Sequence, residues 1–309
     1  MHTSAADLNH RFGVADRASV VVGHGGLTKV VVSAPAAFGE IYLHGGHVTS
    51  WVPKTSGEVL YLSPHSLWQD GHAIRGGVPV CFPWFGDKAD DASAPAHGFV
   101  RTRLWQLESI GLADDDVVVS MATESDAGTR KWWPFDFRLA CRARFGAQLT
   151  LELMVANSGR TGFSFEEALH AYFKVGDAES VFVQGLDATS FIDKTDKYRE
   201  KQQVGELRVS SETDRVYLAA PQTLNLFDPG LKRGVTVRKR NSLTTVVWNP
   251  GAEKSRAMTD LGAEQWRNFV CVEASNVGPY AVALGPGEQH TMTAHVEVEH
   301  WHQPASKSR

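Results

Sequence analysis

The strongest constraint on the fold of this chain is a period-two alternation of apolar and polar positions in many short segments. It is clearest from Gln148 to Val155, where apolar residues recur at every second position. This period places one face of a β-strand on a core and the other toward solvent. Segments rich in β-branched or aromatic residues occur at 19–22, 28–33, 117–121, 137–145, 149–155, 180–183, 244–248 and 291–298.

Turn-forming residues separate these segments. Asn-Ser-Gly at 157–159 and Asp-Pro-Gly at 228–230 are typical of hairpin turns, and the chain contains 28 glycines. Helical periodicity is confined to short stretches such as 63–68 and 260–265. The pattern therefore predicts an all-β fold, a large antiparallel sandwich, rather than an α/β fold.

The chain shows no change of composition that would mark a linker. All-β sandwiches often exceed the usual length of one domain, so we expect a single domain over residues 1–309. The segments at about 1–15 and 302–309 are polar and lack a pattern, which indicates weakly structured tails.

Charge and cysteine usage exclude several classes of partner. The 31 basic and 35 acidic residues give a net charge of −4 without a basic stripe, so we expect no nucleic-acid partner. The three cysteines are scattered and form no CxxC pair, which is typical of buried thiols in a reducing compartment. Neither a signal-peptide layout nor an apolar run of about 20 residues occurs, so we expect a cytoplasmic protein without a membrane partner.

Candidate functional side chains are most concentrated in residues 60–101, where histidines, aromatics and two arginines are mixed with glycine and proline. Such a mixture is typical of irregular loops that carry functional side chains. Arg75 is followed by two glycines, which let a backbone approach a ligand while the guanidinium binds a hydroxyl pair or an oxyanion. Arg101, which ends a segment beginning at His97, could do the same. A surface salt bridge is the alternative for either arginine.

Two further polar residues interrupt apolar, strand-like runs. His170 lies in the run 166–173, where alternation places it on the same face as Tyr172, and Glu273 follows the apolar run 269–272. A hydrogen-bonded core residue is the plain alternative for His170. A carboxylate in a buried strand is costly unless paired, and this cost is often found at functional sites.

No metal or cofactor is predicted. The histidines at 44, 47, 65, 72 and 97 could be considered a ligand set, but no HxH or HxxxH pair shares a predicted strand with a carboxylate. The motifs GxGxxG, GxxxxGK[ST] and GxSxG do not occur, which excludes the common dinucleotide, triphosphate and esterase sites.

Seven sequence blocks, taken in order, resemble the aldose 1-epimerase (galactose mutarotase-like) superfamily, most closely its glucose-6-phosphate 1-epimerase branch. They are LHGGHVTSW at 43–51, IRGGVPVCFPWFG at 74–86, HGFVR at 97–101, LHAYF at 169–173, TDRVY at 213–217, VWNP at 247–250 and CVEASN at 271–276. The resemblance implies a twisted supersandwich of antiparallel strands, with a sugar cleft across its concave face.

The resemblance also implies roles for single residues. The LHAYF histidine, His170, matches the general acid, and the VEASN glutamate, Glu273, matches the general base. His97 is expected to hold the substrate. Three others match substrate-binding positions, namely Arg75, Arg101 and Asp214. Ala96 departs from the pattern, because a polar side chain such as glutamine is expected there.

The implied reaction is interconversion of the α and β anomers of glucose 6-phosphate by acid–base ring opening and closure, with no metal or cofactor. A small sugar phosphate is the expected partner, and we expect a monomer. The alternatives are an epimerase of unphosphorylated aldoses, a non-catalytic carbohydrate-binding or sensor protein, a carbohydrate lyase or hydrolase, and a cupin-like metal enzyme.

Overall fold

The computed structural model describes residues 3–301, which are mainly β-strands. The strands are β1 Ala18–Val22, β2 Thr28–Ala34, β3 Ala37–Tyr42, β4 His47–Pro53, β5 Val80–Cys81, β6 Gln106–Ala113, β7 Asp116–Glu124, β8 Phe137–Phe145, β9 Leu149–Asn157, β10 Phe163–Phe165, β11 Glu167–Leu169, β12 Tyr172–Lys174, β13 Phe182–Gln184, β14 Ser190–Asp193, β15 Arg199–Gln202, β16 Leu207–Arg208, β17 Thr213–Tyr217, β18 Thr223–Asp228, β19 Arg233–Arg240, β20 Thr244–Asn249, β21 Phe269–Asn276, β22 Val282–Leu284 and β23 Gln289–His300.

Helices are few. The α-helices are α1 Ala5–Phe12 and α2 Gly251–Ala257. Six short 3₁₀ helices within residues 3–301 span His24–Gly26, Val100–Thr102, Thr129–Lys131, Lys194–Asp196, Gln265–Asn268 and Gly278–Tyr280. Neither α-helix is long or apolar enough to cross a bilayer, and no other described helix is.

The outer layer is a nine-stranded sheet with the order β16-β13-β18-β19-β23-β9-β8-β7-β6. In β8 and β9 every second side chain is buried, and the residues between them are half-buried or exposed. Their buried side chains, among them Leu139, Leu151 and Val155, belong to the main apolar core. This is the one-face-buried arrangement that the period-two pattern predicts.

The inner layer is an eight-stranded sheet, in which β15-β14-β17-β20-β21-β11-β5 are neighbours and β12 pairs with β21. Every residue of β20 and β21 is buried. Val270 and Val272 pack in the main core, whereas Phe269 and Cys271 belong to a smaller apolar cluster on the opposite face. The inner sheet is therefore covered on both faces, and the smaller cluster marks the face that carries the site.

A four-stranded sheet (β1-β2-β3-β4) and a two-stranded ribbon (β10-β22) complete the structure. Each recorded pair of strands within residues 3–301 is antiparallel, from β1 with β2 to β8 with β9. The prediction of a large all-β antiparallel fold is confirmed. That residues 1–309 form a single domain stays a prediction.

The prediction of a weakly structured N-terminal tail over about 1–15 does not hold for residues 5–12, which form α1. The hydroxyl of Ser4 caps this helix by accepting a hydrogen bond from the backbone N–H of Asp7 (3.1 Å). Leu8 and Phe12 pack against the main core, and the side-chain oxygen of Asn9 accepts a hydrogen bond from the N–H of Val20. A two-turn helix is too short for its apolar spacing to stand out in the sequence. The tail predicted at 302–309 lies outside the described residues.

Candidate active site

A cleft of about 540 Å³ lies on the face of the inner sheet that carries the smaller apolar cluster. Strands β17, β20 and β21 form its floor, and the loops around residues 85–97 and 277–279 form part of its rim. The six side chains singled out from the sequence all line this cleft: Arg75, His97, Arg101, His170, Asp214 and Glu273. The fold thus brings together residues that are separated by up to 198 positions in the chain.

Glu273 lies in the middle of β21, where it pairs in register with Val246 of β20. Side chains two apart in a strand share a face, so Glu273 points to the same side as Cys271, into the cleft. Glu273 is only 1% exposed. Both of its oxygens lack a hydrogen-bond partner among residues 3–301. Such a carboxyl is costly in a structural role, because its polar atoms are desolvated without compensation.

His170 lies in the short connection between β11 and β12. Its backbone N–H donates to the carbonyl of Pro79 at 2.9 Å, which fixes the backbone at this point. Its ring stacks on the ring of Tyr172 with centroids 4.8 Å apart and planes 11° apart. The ring of Trp248 lies nearly perpendicular to the same imidazole, with centroids 5.8 Å apart. The shared face of His170 and Tyr172 that alternation predicts is confirmed.

The two groups meet at the floor of the cleft, where Nδ1 of His170 is 3.4 Å from Oε1 of Glu273. The atoms are close, but their alignment does not make a hydrogen bond, and Nδ1 has no other partner among residues 3–301. Burial lowers the pKa of His170 well below its usual value, and the guanidinium of Arg101 lowers it further. Burial raises the pKa of Glu273 well above its usual value, and the carboxylate of Asp214 adds to the rise. The electrostatics therefore favour a neutral imidazole beside a neutral carboxylic acid.

His97 faces His170 across the cleft, with ring centroids 5.6 Å apart. Its backbone has a φ of 63°, and its backbone N–H donates a hydrogen bond to the carbonyl of Gly86. The ring Nδ1 accepts a hydrogen bond from the N–H of Gly86. Because Nδ1 accepts, the proton of the neutral ring is on Nε2. Desolvation lowers the pKa of His97 well below its usual value, and the charge of Arg101 lowers it further. The ring therefore stays neutral. His97 is thus a fixed hydrogen-bond donor.

The two arginines differ in their partners. Arg75 donates from Nε and Nη2 to one carboxylate oxygen of Asp260 (3.0 and 2.8 Å) and from Nη1 to the hydroxyl of Tyr172 (3.1 Å). Arg101 donates from Nη2 to the carbonyl of Ala96 (2.8 Å), but its buried Nε has no partner, and no carboxylate within residues 3–301 pairs with it. Burial lowers the pKa of Arg101, which reflects this missing counter-charge. The charge of Arg75 is compensated, and that of Arg101 is not.

Asp214 lies on β17, opposite Trp248 of β20. Its Oδ2 is 3.4 Å from the ammonium of Lys194, which also lies 5.5 Å from the ring centroid of Phe85. Burial raises the pKa of Asp214, and Lys194 partly offsets this rise. Lys194 therefore adds a cation to the cleft. It belongs to no motif in the sequence, because it lies in an ordinary charged turn after β14.

Glu166 joins two loops of the rim. One of its oxygens accepts a hydrogen bond from the N–H of Phe85 (2.7 Å), and the other accepts one from the N–H of Gly278 (2.6 Å). Like Lys194, Glu166 lines the cleft and was missed at the sequence level. A glutamate beside a second glutamate, Glu167, carries no signal that could have separated this role from that of a solvated side chain.

The histidine set weighed as metal ligands is dispersed in the structure. Nε2 of His44 contacts the carbonyl of His72 at 2.7 Å, and Nε2 of His47 contacts the carbonyl of Gly76 at the same distance. These two rings hold the loop that carries Arg75. Within the described part of the chain, the one group of three close metal-ligand atoms comes instead from His170, Cys271 and Glu273.

Comparison with known proteins assigns the fold and the cleft to a family. The aldose 1-epimerase family profile matches residues 31–297. The chain belongs to the aldose 1-epimerase family. It is 38% identical over 250 residues to an Escherichia coli protein named "putative glucose-6-phosphate 1-epimerase", covering 81% of this chain and 83% of that protein. It is 35% identical over 287 residues to a protein of the same name from Cenchrus ciliaris, covering 88% and 85%.

Solved structures agree. The crystal structure of a "putative mutarotase" from Salmonella typhimurium superposes with a TM-score of 0.87 at 33% identity, covering 93% of this chain and 95% of that one. A galactose mutarotase-like protein from Lactobacillus casei, at 15% identity and a TM-score of 0.70, shows the same fold. The predicted family and fold class are confirmed. The protein is an aldose 1-epimerase (mutarotase), an isomerase that acts on a sugar.

Proposed function

We propose that this epimerase interconverts the α and β anomers of a hexose 6-phosphate, with glucose 6-phosphate as the leading candidate. The proposal of a phosphate rests on Arg101, a half-buried side chain whose Nε is buried without a hydrogen-bond partner and which has no carboxylate partner among residues 3–301. A partly desolvated charge without a counter-charge is unfavourable, and an anionic ligand would compensate it. Lys194 lines the same cleft. The names of the relatives, which refer to glucose 6-phosphate, support the same substrate.

The reaction requires two proton transfers at one carbon. A base takes the proton of the anomeric hydroxyl while an acid protonates the ring oxygen, and the C1–O5 bond breaks to give the open-chain aldehyde. Rotation about C1–C2 and closure on the other face complete the exchange. In this proposal Glu273 is the base and His170 the acid. The 3.4 Å separation of Glu273 and His170 supports these roles, because the anomeric hydroxyl oxygen and the ring oxygen are both bonded to C1.

The proton count of the pair explains why burial helps. An ion pair of Glu273 with His170 and a neutral pair hold the same single proton, placed on one group or on the other. Ring opening starts from the ion pair and leaves the neutral pair. Burial favours the neutral pair. The open-chain stage is therefore more favourable in the cleft than it would be with the same two groups in water.

The remaining polar groups would hold the sugar. The Nε2–H of His97 is oriented to donate to a sugar oxygen, and Asp214 can accept from a hydroxyl. Arg75 plays an indirect part in this proposal, because its hydrogen bond to Tyr172 fixes the ring on which His170 stacks.

Anomer exchange tests the proposal directly. Freshly dissolved α-glucose 6-phosphate is mixed with the protein, and the two anomers are followed by NMR, with free glucose measured in parallel. We expect exchange well above the buffer rate and a much higher kcat/KM for the phosphorylated sugar. Anomer exchange no faster than in buffer alone would contradict the proposal that glucose 6-phosphate is the substrate. Equal efficiency on both sugars would instead favour an epimerase of unphosphorylated aldoses.

Arg101→Met separates phosphate recognition from catalysis. Losing a charge-assisted contact of about 1.5–3 kcal/mol should lower kcat/KM for glucose 6-phosphate roughly 10- to 100-fold, and much less for glucose. Arg103→Met is the matched control, because Arg103 lies two residues away and pairs with Asp126 instead. If Arg101→Met lowers the efficiency on both sugars equally, Arg101 does not bind the phosphate.

A further inference from the structure

Beside the proposed acid–base pair lies a third group that the epimerase reaction does not use. Cys271 is fully buried on β21, two residues before Glu273 and on the same face, and it pairs in register with Tyr172. It belongs to the aromatic cluster under the cleft and is not among the residues that line the cleft surface. The thiol thus lies beside Glu273 on the same face of β21, within 4.8 Å of a ligand atom of each member of the pair.

The three ligand atoms converge. One atom each from His170, Cys271 and Glu273 lie within 4.8 Å of one another. Nδ1 of His170 and Oε1 of Glu273, at 3.4 Å, already have the spacing of two ligands on one tetrahedral ion, which is about 3.2–3.8 Å for Zn²⁺. This set of one nitrogen, one sulfur and one oxygen matches the donors that zinc selects, with a fourth position open to the cleft.

A second observation also points to a ligand. Nδ1 of His170 and both oxygens of Glu273 are buried and have no hydrogen-bond partner among residues 3–301. Buried polar atoms are almost always satisfied, so three unsatisfied acceptors or donors around one point indicate a place where something binds. A sugar would satisfy some of them from above, and an ion bound to Cys271 would satisfy all of them from within.

We propose that His170, Cys271 and Glu273 form a binding site for a thiophilic divalent cation of the Zn²⁺ type, and that this ion and the sugar exclude each other. The thiolate of Cys271 and the carboxylate of Glu273 together cancel the charge of the ion, so a neutral complex forms beside Arg75 and Arg101. The ion would occupy the atoms that the substrate needs, and it would hold no place in the reaction itself. The inhibition, though not the binding, rests on the proposed catalytic roles of the pair.

Metal binding is measured first, independently of activity. The metal-free protein is titrated with Zn²⁺ by calorimetry and with Co²⁺ by absorption, where a thiolate-to-cobalt charge-transfer band reports a Cys ligand. We expect one site, stronger binding at higher pH because ligand protons are released, and no comparable binding of Mg²⁺. Cys271→Ser should weaken binding at least about 100-fold and abolish the charge-transfer band. Adding glucose 6-phosphate to the wild type should displace the ion.

Cys141→Ser is the matched control, because Cys141 is also a buried thiol but lies on β8 of the outer sheet. It should leave both the affinity and the absorption band unchanged. Cys271→Ala serves as a second variant should the serine disturb folding. The proposal is overturned if Zn²⁺ binds equally well to wild type and Cys271→Ser, or if it does not bind the wild type at all.

Activity then separates this inference from the proposed function. The expected result is loss of wild-type exchange on addition of Zn²⁺, recovery with a chelator, and resistance of Cys271→Ser at the same Zn²⁺ concentration. If Zn²⁺ binds through Cys271 while exchange continues unchanged, the site stands and the catalytic roles of His170 and Glu273 fail. If no metal binds but the exchange of glucose 6-phosphate is fast, the epimerase proposal stands and the metal site fails.

Discussion

At the scale of single residues, the cleft is organised by partners that are missing as much as by those that are present. Arg75 and Glu166 have their hydrogen bonds satisfied by protein groups, which suits residues that hold other residues in place. His170, Glu273 and Arg101 keep unsatisfied buried atoms. Within residues 3–301 these three lie in the same cleft, which is where a ligand would complete them.

If Glu273 and His170 are the proton carriers, replacing either one alone should cause a large loss of activity. Glu273→Gln and His170→Asn should each lower kcat for anomer exchange by about 10²- to 10⁴-fold, the usual contribution of a positioned proton carrier. Circular dichroism and the urea midpoint should stay close to wild type, because both replacements are nearly isosteric. Glu152→Gln, at a half-buried position on the outer face of β9, is the control and should retain full activity. Near-normal exchange in either pair variant would refute the assignment.

The charge of Lys194 should be visible in the pH profile. Its ammonium lowers the pKa of His170 and also lowers that of Glu273, in each case as a smaller contribution than burial. The active pair holds one proton, so activity falls at low pH when His170 gains a second and at high pH when Glu273 loses the last. Lys194→Met removes the positive charge, so both pKa values rise and both limbs of the kcat/KM profile move to higher pH.

Lys131→Met is the control for this shift, because Lys131 is exposed and lies outside the cleft. Its profile should superpose on that of the wild type. If both limbs of the kcat/KM profile stay in place in Lys194→Met, the groups that titrate in this profile are not His170 and Glu273 beside this cation.

At the scale of elements, close backbone approaches decide how the rim of the cleft can be built. Gly98 follows His97 with a φ of +75°, and a Cβ there would lie 1.8 Å from the carbonyl oxygen of Phe82. The approach belongs to the bridge between Phe82 and Gly98, which brings the His97 loop onto the strand region that follows β5. Only glycine accommodates both the left-handed backbone and the contact.

Gly98→Ala should therefore destabilise the fold by more than strain alone. We expect a loss of about 3 kcal/mol or more in the free energy of unfolding, since overpacking is added to the left-handed strain of about 1–2 kcal/mol. Gly26→Ala is the matched control: its φ is +78°, but a Cβ there meets nothing within 4 Å. Urea unfolding of the two variants should differ clearly, and equal losses would show that the contact with Phe82 relaxes without cost.

The limits of the sequence-based predictions also appear at this scale. Strands with one solvated face, such as β8 and β9, were found with nearly correct bounds, because their alternation reports the burial directly. Glu273 stood out because a carboxylate interrupts the fully buried β21. Lys194 could not be found in this way, since its role depends on the position of a turn in space. Cys271 was predicted to be buried, but its place beside the pair follows only from the three-dimensional structure.

At the scale of the whole molecule, the low pKa values of histidines in and near the cleft make the stability of the fold depend on pH. His47 is fully buried under the loop that carries Arg75, and burial lowers its pKa to about 3. Desolvation in the cleft also lowers the pKa values of His97 and His170 well below the usual one, although His97 is only half-buried. The unfolded chain binds protons at these positions below about pH 6.5, whereas the native protein does not. Stability therefore falls as the pH drops through this range.

His47 allows this linkage to be measured without touching the proposed chemistry. In His47→Gln the side-chain amide can still donate to the carbonyl of Gly76, but no group titrates there. Urea unfolding at about pH 7, 6 and 5 should show the wild type losing about 1.4 kcal/mol more per pH unit than the variant below the usual histidine pKa. His10→Gln, on the exposed side of α1, should follow the wild type. If wild type and His47→Gln lose stability in parallel, His47 is protonated in the native state, and its burial cannot be what limits this fold in acid.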